Sequence, residues 1–258
     1  MLFAFDIGNS NIKLGLYDGD RLTTAWRIST DRHKLSAEYA VVVLSLLAQG
    51  GITPTAINGC AISCVVPPLT SVFIELARVY LDCDPVVIGP GVKTGMRLLV
   101  DTPRELGSDR VANAVAAFQR WGGPTIAIAF GTATAFDVIN ADGDYLGGSI
   151  APGIGIAAEA LFRTAAKLYQ VELVKPPKVI GKNTMHCLQS GIVLGYAGLV
   201  EGLVTRIQAE LGTTTTVVAT GGLADVIAEV IAGETHVIDH VVPNLTLDGL
   251  RLIYNLNR

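Results

Sequence analysis

Asp6 closes an apolar run, Phe3-Ala4-Phe5, and is followed by Ile7-Gly8-Asn9-Ser10-Asn11-Ile12-Lys13. A carboxylate there can hold a hydrated Mg²⁺, an ion that keeps several waters and takes one or two carboxylates. Gly8, Asn9 and Ser10 allow backbone and short polar groups to approach phosphate oxygens, and Lys13 supplies a compact positive charge. The plainer reading is a polar hairpin turn with a capping Asp. Gly131-Thr132-Ala133-Thr134-Ala135-Phe136-Asp137 forms a second such turn, whose Thr hydroxyls and N–H groups suit β- and γ-phosphates. β-branched Thr also simply suits a strand, and Asp137 reads equally as a surface strand residue.

A third carboxylate lies in Gly107-Ser108-Asp109-Arg110, ahead of an amphipathic stretch. Asp at a helix start is commonly a cap. Backed by Arg110, it is also placed to accept the proton of a substrate hydroxyl in phosphoryl transfer, as an ionised and weak general base. Thr220-Gly221-Gly222 puts two glycines at a strand-to-helix turn, where a flat ring such as adenine could lie on the backbone. Gly181-Lys182-Asn183-Thr184 reads as a helix start with Asn and Thr at capping positions.

The elements that position these residues are written twice. Each polar Gly turn sits between two apolar runs, and each second run ends in Asp-Gly-Asp, a hairpin plan. Gly8 and Gly131 stand 123 residues apart, and Gly19 and Gly143 stand 124 apart. The first copy continues with a strand over Arg21–Ser29, a helix over Ser36–Gln49, a strand over Ala56–Ser63, a helix over Pro68–Leu81 and a strand over Pro85–Ile88. A polar connection and a helix over Asp109–Trp121 complete it. The second copy has strands over Thr125–Phe130, Thr134–Asn140 and Tyr145–Ile150, then a helix to about Lys167. An irregular Lys- and Pro-rich stretch, Val171–Asn183, leads to a long helix over Thr184–Leu211. A strand over Thr215–Ala219 and helices over Leu223–Ile231 and Thr246–Asn257 end the chain. The pattern predicts an α/β protein of two duplicated βββαβαβα halves, residues 1–122 and 123–258, with a central cleft suited to a nucleotide.

Half of the residues are hydrophobic and 16% are charged, so a large core is expected and disorder is not. Mean hydropathy is +0.47, yet the longest apolar runs are broken by Gly, Ser or Glu before the roughly 18 to 20 residues a membrane span needs. The start lacks a basic segment before its apolar run, so the sequence predicts a cytoplasmic protein without a membrane partner. A net charge of −4 with no Lys/Arg block argues against nucleic acid as a partner. Cys60, Cys64, Cys83 and Cys187 follow no zinc or redox spacing and read as free thiols.

As an ordered set, these motifs resemble the type III pantothenate kinases of the acetate and sugar kinase/Hsp70/actin superfamily. The likeness rests on Asp6–Ser10, Gly91-Val92-Lys93-Thr94-Gly95, Gly107–Arg110, Gly131–Thr134, Gly147-Gly148-Ser149-Ile150-Ala151-Pro152-Gly153, Gly181–Thr184 and Thr220–Gly222. It implies a ribonuclease H-like, actin-like ATPase fold and ATP-dependent phosphorylation of pantothenate, the first step of coenzyme A synthesis. It further implies that Asp6, Ile7, Gly8, Asn9, Ser10, Asn11, Ile12, Lys13 and Thr132 bind ATP. Gly107, Ser108, Asp109, Arg110 and Thr184 would bind pantothenate, with Asp109 as proton acceptor and Asp6 near Mg²⁺. Homodimers and a monovalent cation, K⁺ or NH₄⁺, also follow from it. The chain departs from the family pattern at Ala129, where an Asp usually ligates that cation; the internal repeat independently sets Ala129 opposite Asp6. Ala135 replaces a usual Thr and Ser108 a usual Ala. Two other readings fit the same motifs: a non-catalytic accessory relative, and another kinase or phosphatase of the superfamily.

Overall fold

The computed structural model describes residues 1–232 and 237–258, which form two compact units. The first comprises Met1–Arg97, Asp101–Ala116 and Leu245–Arg258; the second comprises Leu98–Val100 and Ala117–Asn244.

In the first unit β1 (Leu2–Ile7), β2 (Asn11–Asp18), β3 (Arg21–Ser29), β4 (Gly59–Cys64) and β5 (Val86–Val87) form a sheet of order β3-β2-β1-β4-β5. β1 is buried along its whole length, as the apolar run Leu2–Phe5 requires of a central strand covered on both faces, and this burial extends to Asp6. β3, at the edge, alternates exposed and half-buried positions. Helix α1 (Ser36–Gln49) buries Tyr39, Ala40, Val43 and Leu47, and α2 (Pro67–Tyr80) buries Leu69, Phe73, Leu76 and Ala77, the i, i+3/i+4 stripes that face a core. Phe73 carries the contact between layers, with ring centroids 5.6 Å from Phe5 and 4.9 Å from Tyr39. Helix α3 (Ser108–Trp121) begins in this unit.

The second unit repeats the plan. β6 (Thr125–Phe130), β7 (Ala133–Ile139), β8 (Tyr145–Pro152), β9 (Thr216–Gly221) and β10 (His240–Val241) form a sheet of order β10-β9-β6-β7-β8, the first order read from its other edge. After α4 (Ile154–Thr164), α5 (Thr184–Gln189) runs through a wider π turn at Ser190–Leu194 into α6 (Gly195–Leu211). The sequence reads this stretch as one uninterrupted helix. The π turn falls where buried side chains leave the helix for the Val171–Asn183 segment: Gln189 Nε2 donates to the Glu172 carbonyl (3.0 Å) and Ser190 Oγ to that of Val179 (2.6 Å). Thr184–Leu211 is the only helix among the described residues long and apolar enough to cross a membrane by length and composition. Its apolar stripe, including Val193, Val200 and Val204, is spent on the core it shares with Ile126, Ile128, Val217 and α7 (Ala224–Ala232).

The last helix, α8 (Leu245–Asn255), belongs to the first unit, although a division at residue 122 assigns it to the second half. It packs on β1, β2 and β4, and a side chain at Gly249 would meet the Ala112 carbonyl of α3 at 2.0 Å. Only glycine permits that helix–helix approach.

Candidate active site

Asp6 is the penultimate residue of β1, and the sheet decides its neighbours. Lys13 of β2 faces it in the antiparallel register and Ser63 of β4 in the parallel one. Asp6 is only 9% exposed. Its carboxyl is pushed up to about 7, first by burial and then by the negative charge of Asp109. Lys13 and hydrogen bonds with Ser63 and Thr246 pull the other way without prevailing. Thr246, at the start of α8, lies 2.9 Å from the Asn113 side-chain amide, which holds its hydroxyl beside the carboxylate.

Asp109 occupies the first turn of α3 and is likewise pushed up, mainly by desolvation. The Arg110 amide donates to its Oδ1 at 2.9 Å, and the Arg110 and Lys13 charges oppose the rise. The carboxylate is therefore a stronger base than an exposed aspartate, which improves the weak base expected from sequence. A Cβ at Gly107 would sit 2.6 Å from Asp109 Oδ1, so glycine there is what leaves the carboxylate its place. Asp6, Lys13 and Asp109 thus form one electrostatic cluster within the first unit.

The adjoining hairpin tip is closed by Gly8 N–H donating to the Asn11 carbonyl at 3.0 Å. Residues just after β3 hold it from behind. The Thr30 amide donates to Ser10 O (3.1 Å), Thr30 Oγ1 to Gly8 O (2.7 Å) and Arg32 Nη2 to Asn9 Oδ1 (2.8 Å). Asn9, Ser10 and Asn11 are exposed, whereas the Ile7 and Ile12 side chains are core, leaving only their backbone for a ligand.

In the second unit the tip is closed by Gly131 N–H to Ala133 O at 3.0 Å. It is one residue shorter, since three residues separate the Phe130–Thr134 pair and four the Ile7–Ile12 pair. Thr132 is exposed. Thr134 is fully buried beside Tyr196, donating to its Oη at 2.7 Å while that hydroxyl donates to the Pro152 carbonyl, so it is a core hydroxyl and does not present itself to phosphate. Asp137 is also buried and accepts from the Tyr145 hydroxyl at 2.7 Å, contrary to the surface position expected of it. A Cβ at Gly221 would meet the Phe130 carbonyl at 2.2 Å, and its φ is +106°; strand packing alone accounts for that glycine. Thr184 is exposed at the first position of α5, capped by Asn183 Oδ1, which accepts from the His186 amide at 2.8 Å.

Ala129 holds the place in β6 that Asp6 holds in β1. Its partners in register are Ala135 and Thr220, where Asp6 has Lys13 and Ser63. The second copy has lost the carboxylate and its lysine together, and so leaves no unpaired buried charge.

A family model described as type III pantothenate kinase matches residues 2–206. The chain belongs to that family. It is 63% identical over 258 residues to the type III pantothenate kinase of Roseiflexus sp. (strain RS-1), covering all of both chains. It is 51% identical over 257 residues to that of Moorella thermoacetica, again end to end. Among solved structures it resembles the inorganic polyphosphate/ATP-glucomannokinase of Arthrobacter sp. strain KM, with a TM-score of 0.54 at 15% identity over 100% of this chain and 99% of that one. The fold is the actin-like one of two ribonuclease H-like halves, and the chain is a kinase that phosphorylates pantothenate with ATP at the entry to coenzyme A synthesis. The full-length relatives are type III pantothenate kinases and lend nothing to the accessory reading, and the likeness to a putative Baf family transcriptional activator from Campylobacter jejuni (TM-score 0.62, 18% identity over 99% of this chain and 98% of that one) shows the fold alone. The residues of this kinase that sequence reasoning passed over are Ser63, Thr246, Thr30 and Arg32. Each reaches the site through pairing or packing with a distant segment, and none stands in a recognisable motif.

Proposed function

We propose that Asp109 is the general base of this pantothenate kinase and that Asp6, Lys13 and the Gly8–Asn11 tip manage the phosphates of ATP. The observation that carries this reading is the Asp6–Lys13–Asp109 cluster, in which two desolvated carboxylates share one lysine. Such pairs of perturbed groups mark sites that spend folding energy on chemistry. Asp109 accepts the proton of the primary hydroxyl of pantothenate as that oxygen attacks the γ-phosphorus and the bond to the β–γ bridging oxygen breaks to release ADP, and Arg110 offsets charge beside Asp109. Lys13 and the exposed Asn9–Asn11 tip face phosphate oxygens. Thr132 and Thr184 are assigned to ATP and pantothenate by family likeness alone.

Asp6 is the residue that would hold Mg²⁺. No group of three or more His, Cys, Asp or Glu side chains among the described residues could bind a metal by itself. A single buried carboxylate, underneutralised by one lysine, suits an ion that arrives with nucleotide and keeps its waters. Bound there, Mg²⁺ would neutralise phosphate charge. The residues do not suit a carboxylate-ligated K⁺: Ala129 and Ala135 bring neither ligand nor charge. Incubation with ATP, Mg²⁺ and pantothenate is expected to give phosphopantothenate with a rate that changes less than about threefold when K⁺ is replaced by Na⁺, less than one hydrogen bond to a charged group would supply. Failure to form product rejects the reading; a rate that vanishes without K⁺ rejects the account of Ala129.

The chain also acts as a homodimer in this reading. The second unit exposes the neighbouring residues Val179 (69%) and Ile180 (81%), and also Ile150, Ile156 and Leu161, apolar side chains that a second copy could cover. Sedimentation equilibrium should give twice the 27.1 kDa chain mass; a monomer at micromolar concentration rules it out.

A further inference from the structure

Ser63 and Ser108 are both buried, and their hydroxyl oxygens lie 2.9 Å apart. Ser63 belongs to β4, beside Asp6 in the parallel register and hydrogen-bonded to its carboxylate. Ser108 is the first residue of α3, immediately before Asp109. The Cys64 amide donates to Ser108 Oγ at 3.1 Å. Counting protons gives this chain a direction. An amide N–H can only donate, so Ser108 Oγ accepts from Cys64 and keeps one further lone pair and its own proton; the Asp6 end sets which way the Ser63–Ser108 bond runs. With Asp6 ionised, its carboxylate only accepts, so the Ser63 proton goes to Asp6 and Ser63 Oγ accepts from Ser108. Every member is satisfied, from a backbone amide through two hydroxyls to the site carboxylate.

We propose that Ser63 and Ser108 are positioning residues for phosphoryl transfer, a hydroxyl chain that locks the first turn of α3, and with it Asp109, to the strands that carry Asp6. This rests on the roles given to Asp6 and Asp109 above. The chain ties the group that receives the substrate proton to the one beside the phosphates, so their spacing does not depend on helix packing alone. A misplacement of about 1 Å at such a site costs as much as 10²-fold in rate. Alanine at 108, the residue that family likeness leads one to expect, removes the acceptor of the Cys64 amide and the donor to Ser63 in one change. Neither Ser touches a substrate in this account; both act through the carboxylates.

The test is a double-mutant cycle on the full-length protein, with kcat measured per folded molecule well below the melting temperature. Ser108→Ala and Ser63→Ala are each expected to lower kcat about tenfold, and the double variant no further than the worse single, because either break opens the same chain. KM for ATP should stay within about twofold in Ser108→Ala, since the Ser63–Asp6 bond survives there. Amide hydrogen exchange at Cys64 gives a readout independent of turnover and should speed up at least about tenfold in Ser108→Ala. An unchanged kcat in Ser108→Ala, losses that multiply in the double variant, or unchanged exchange at Cys64 overturns the proposal. A wild-type protein that makes no phosphopantothenate would instead fail the assignment of function, and Cys64 exchange would still decide the hydroxyl chain.

Discussion

Asp109→Asn is expected to lower kcat by about 10²- to 10⁴-fold, the usual worth of a positioned general base. The KM for ATP and the affinity for a non-hydrolysable ATP analogue should change by less than about threefold, because an amide of the same shape removes a proton acceptor and little else. The size of the effect follows from the environment. Burial raises the carboxyl of Asp109 while Arg110 and Lys13 keep it from rising further, a balance that makes a base stronger than a surface aspartate. Gly107→Ala reaches the same carboxylate from behind. Its new Cβ would stand 2.6 Å from Asp109 Oδ1, and the movable carboxylate must turn away. That variant should fold normally and lose about tenfold or more in kcat. Steady-state kinetics beside calorimetric titration of the analogue separates the two parameters. Near-normal turnover in Asp109→Asn removes the residue from the chemistry.

Much of the scaffold is legible in the chain because local and global preferences agree there. Arg21–Ser29, Ser36–Gln49 and Thr125–Phe130 are bounded in the structure as their patterns predict. The strand read over Ala56–Ser63 begins later, at Gly59, since Pro54–Ala56 form a 3₁₀ turn that Pro54 favours. β10 is two residues long, too short for any period to declare it. The ownership of α8 is a tertiary fact: its stripe of Leu247, Leu250 and Ile253 would suit either sheet, and Gly249 against Ala112 selects the first.

The site divides the same way. Asp6, Lys13 and Asp109 could be found from residue type and spacing, since each stands beside a glycine turn or a helix start. Their coupling could not. Ser63 enters by parallel pairing, which links segments more than fifty residues apart, and Thr246 enters from the other end of the chain. The repeat is informative where it breaks. Sequence places Ala129 opposite Asp6, but only the register adds that Ala135 stands where Lys13 does. The lysine in the first copy is the counter-charge that lets a carboxylate stay buried there, and where the carboxylate is gone the lysine has no further role. Thr134 and Asp137 show the opposite failure. Their residue types suggest a wet, functional surface, and the fold uses both inside the second unit, with Tyr196 and Tyr145 as partners.

Asp6→Asn should stabilise the ligand-free protein at pH 8 and at the same time abolish its response to Mg²⁺–ATP. The sign comes from proton linkage. The folded protein holds the Asp6 proton up to about pH 7, whereas an unfolded chain releases it near the ordinary value of 3.8. Between those limits the native state binds more protons than the unfolded one, so this group's contribution to stability is present at low pH and is lost as pH rises. Three units of displacement correspond to at most about 4 kcal/mol, at 1.36 kcal/mol per unit. Part of that returns as a cost, because asparagine leaves Lys13 with Asp109 as its remaining carboxylate in the cluster, and a gain of about 1–3 kcal/mol at pH 8 is expected. It should shrink toward zero as pH falls to 4, where the wild-type carboxyl is itself neutral. Mg²⁺–ATP reverses the order. At a hundred times its dissociation constant the nucleotide stabilises a binding-competent protein by about 2.7 kcal/mol, and the Asn variant forgoes this. Chemical denaturation at pH 4, 6 and 8, with and without Mg²⁺–ATP, reads both effects. A variant less stable than wild type at pH 8 without ligand, or one protected equally by Mg²⁺–ATP, would show that Asp6 is a structural carboxylate and that the metal and phosphates are managed elsewhere.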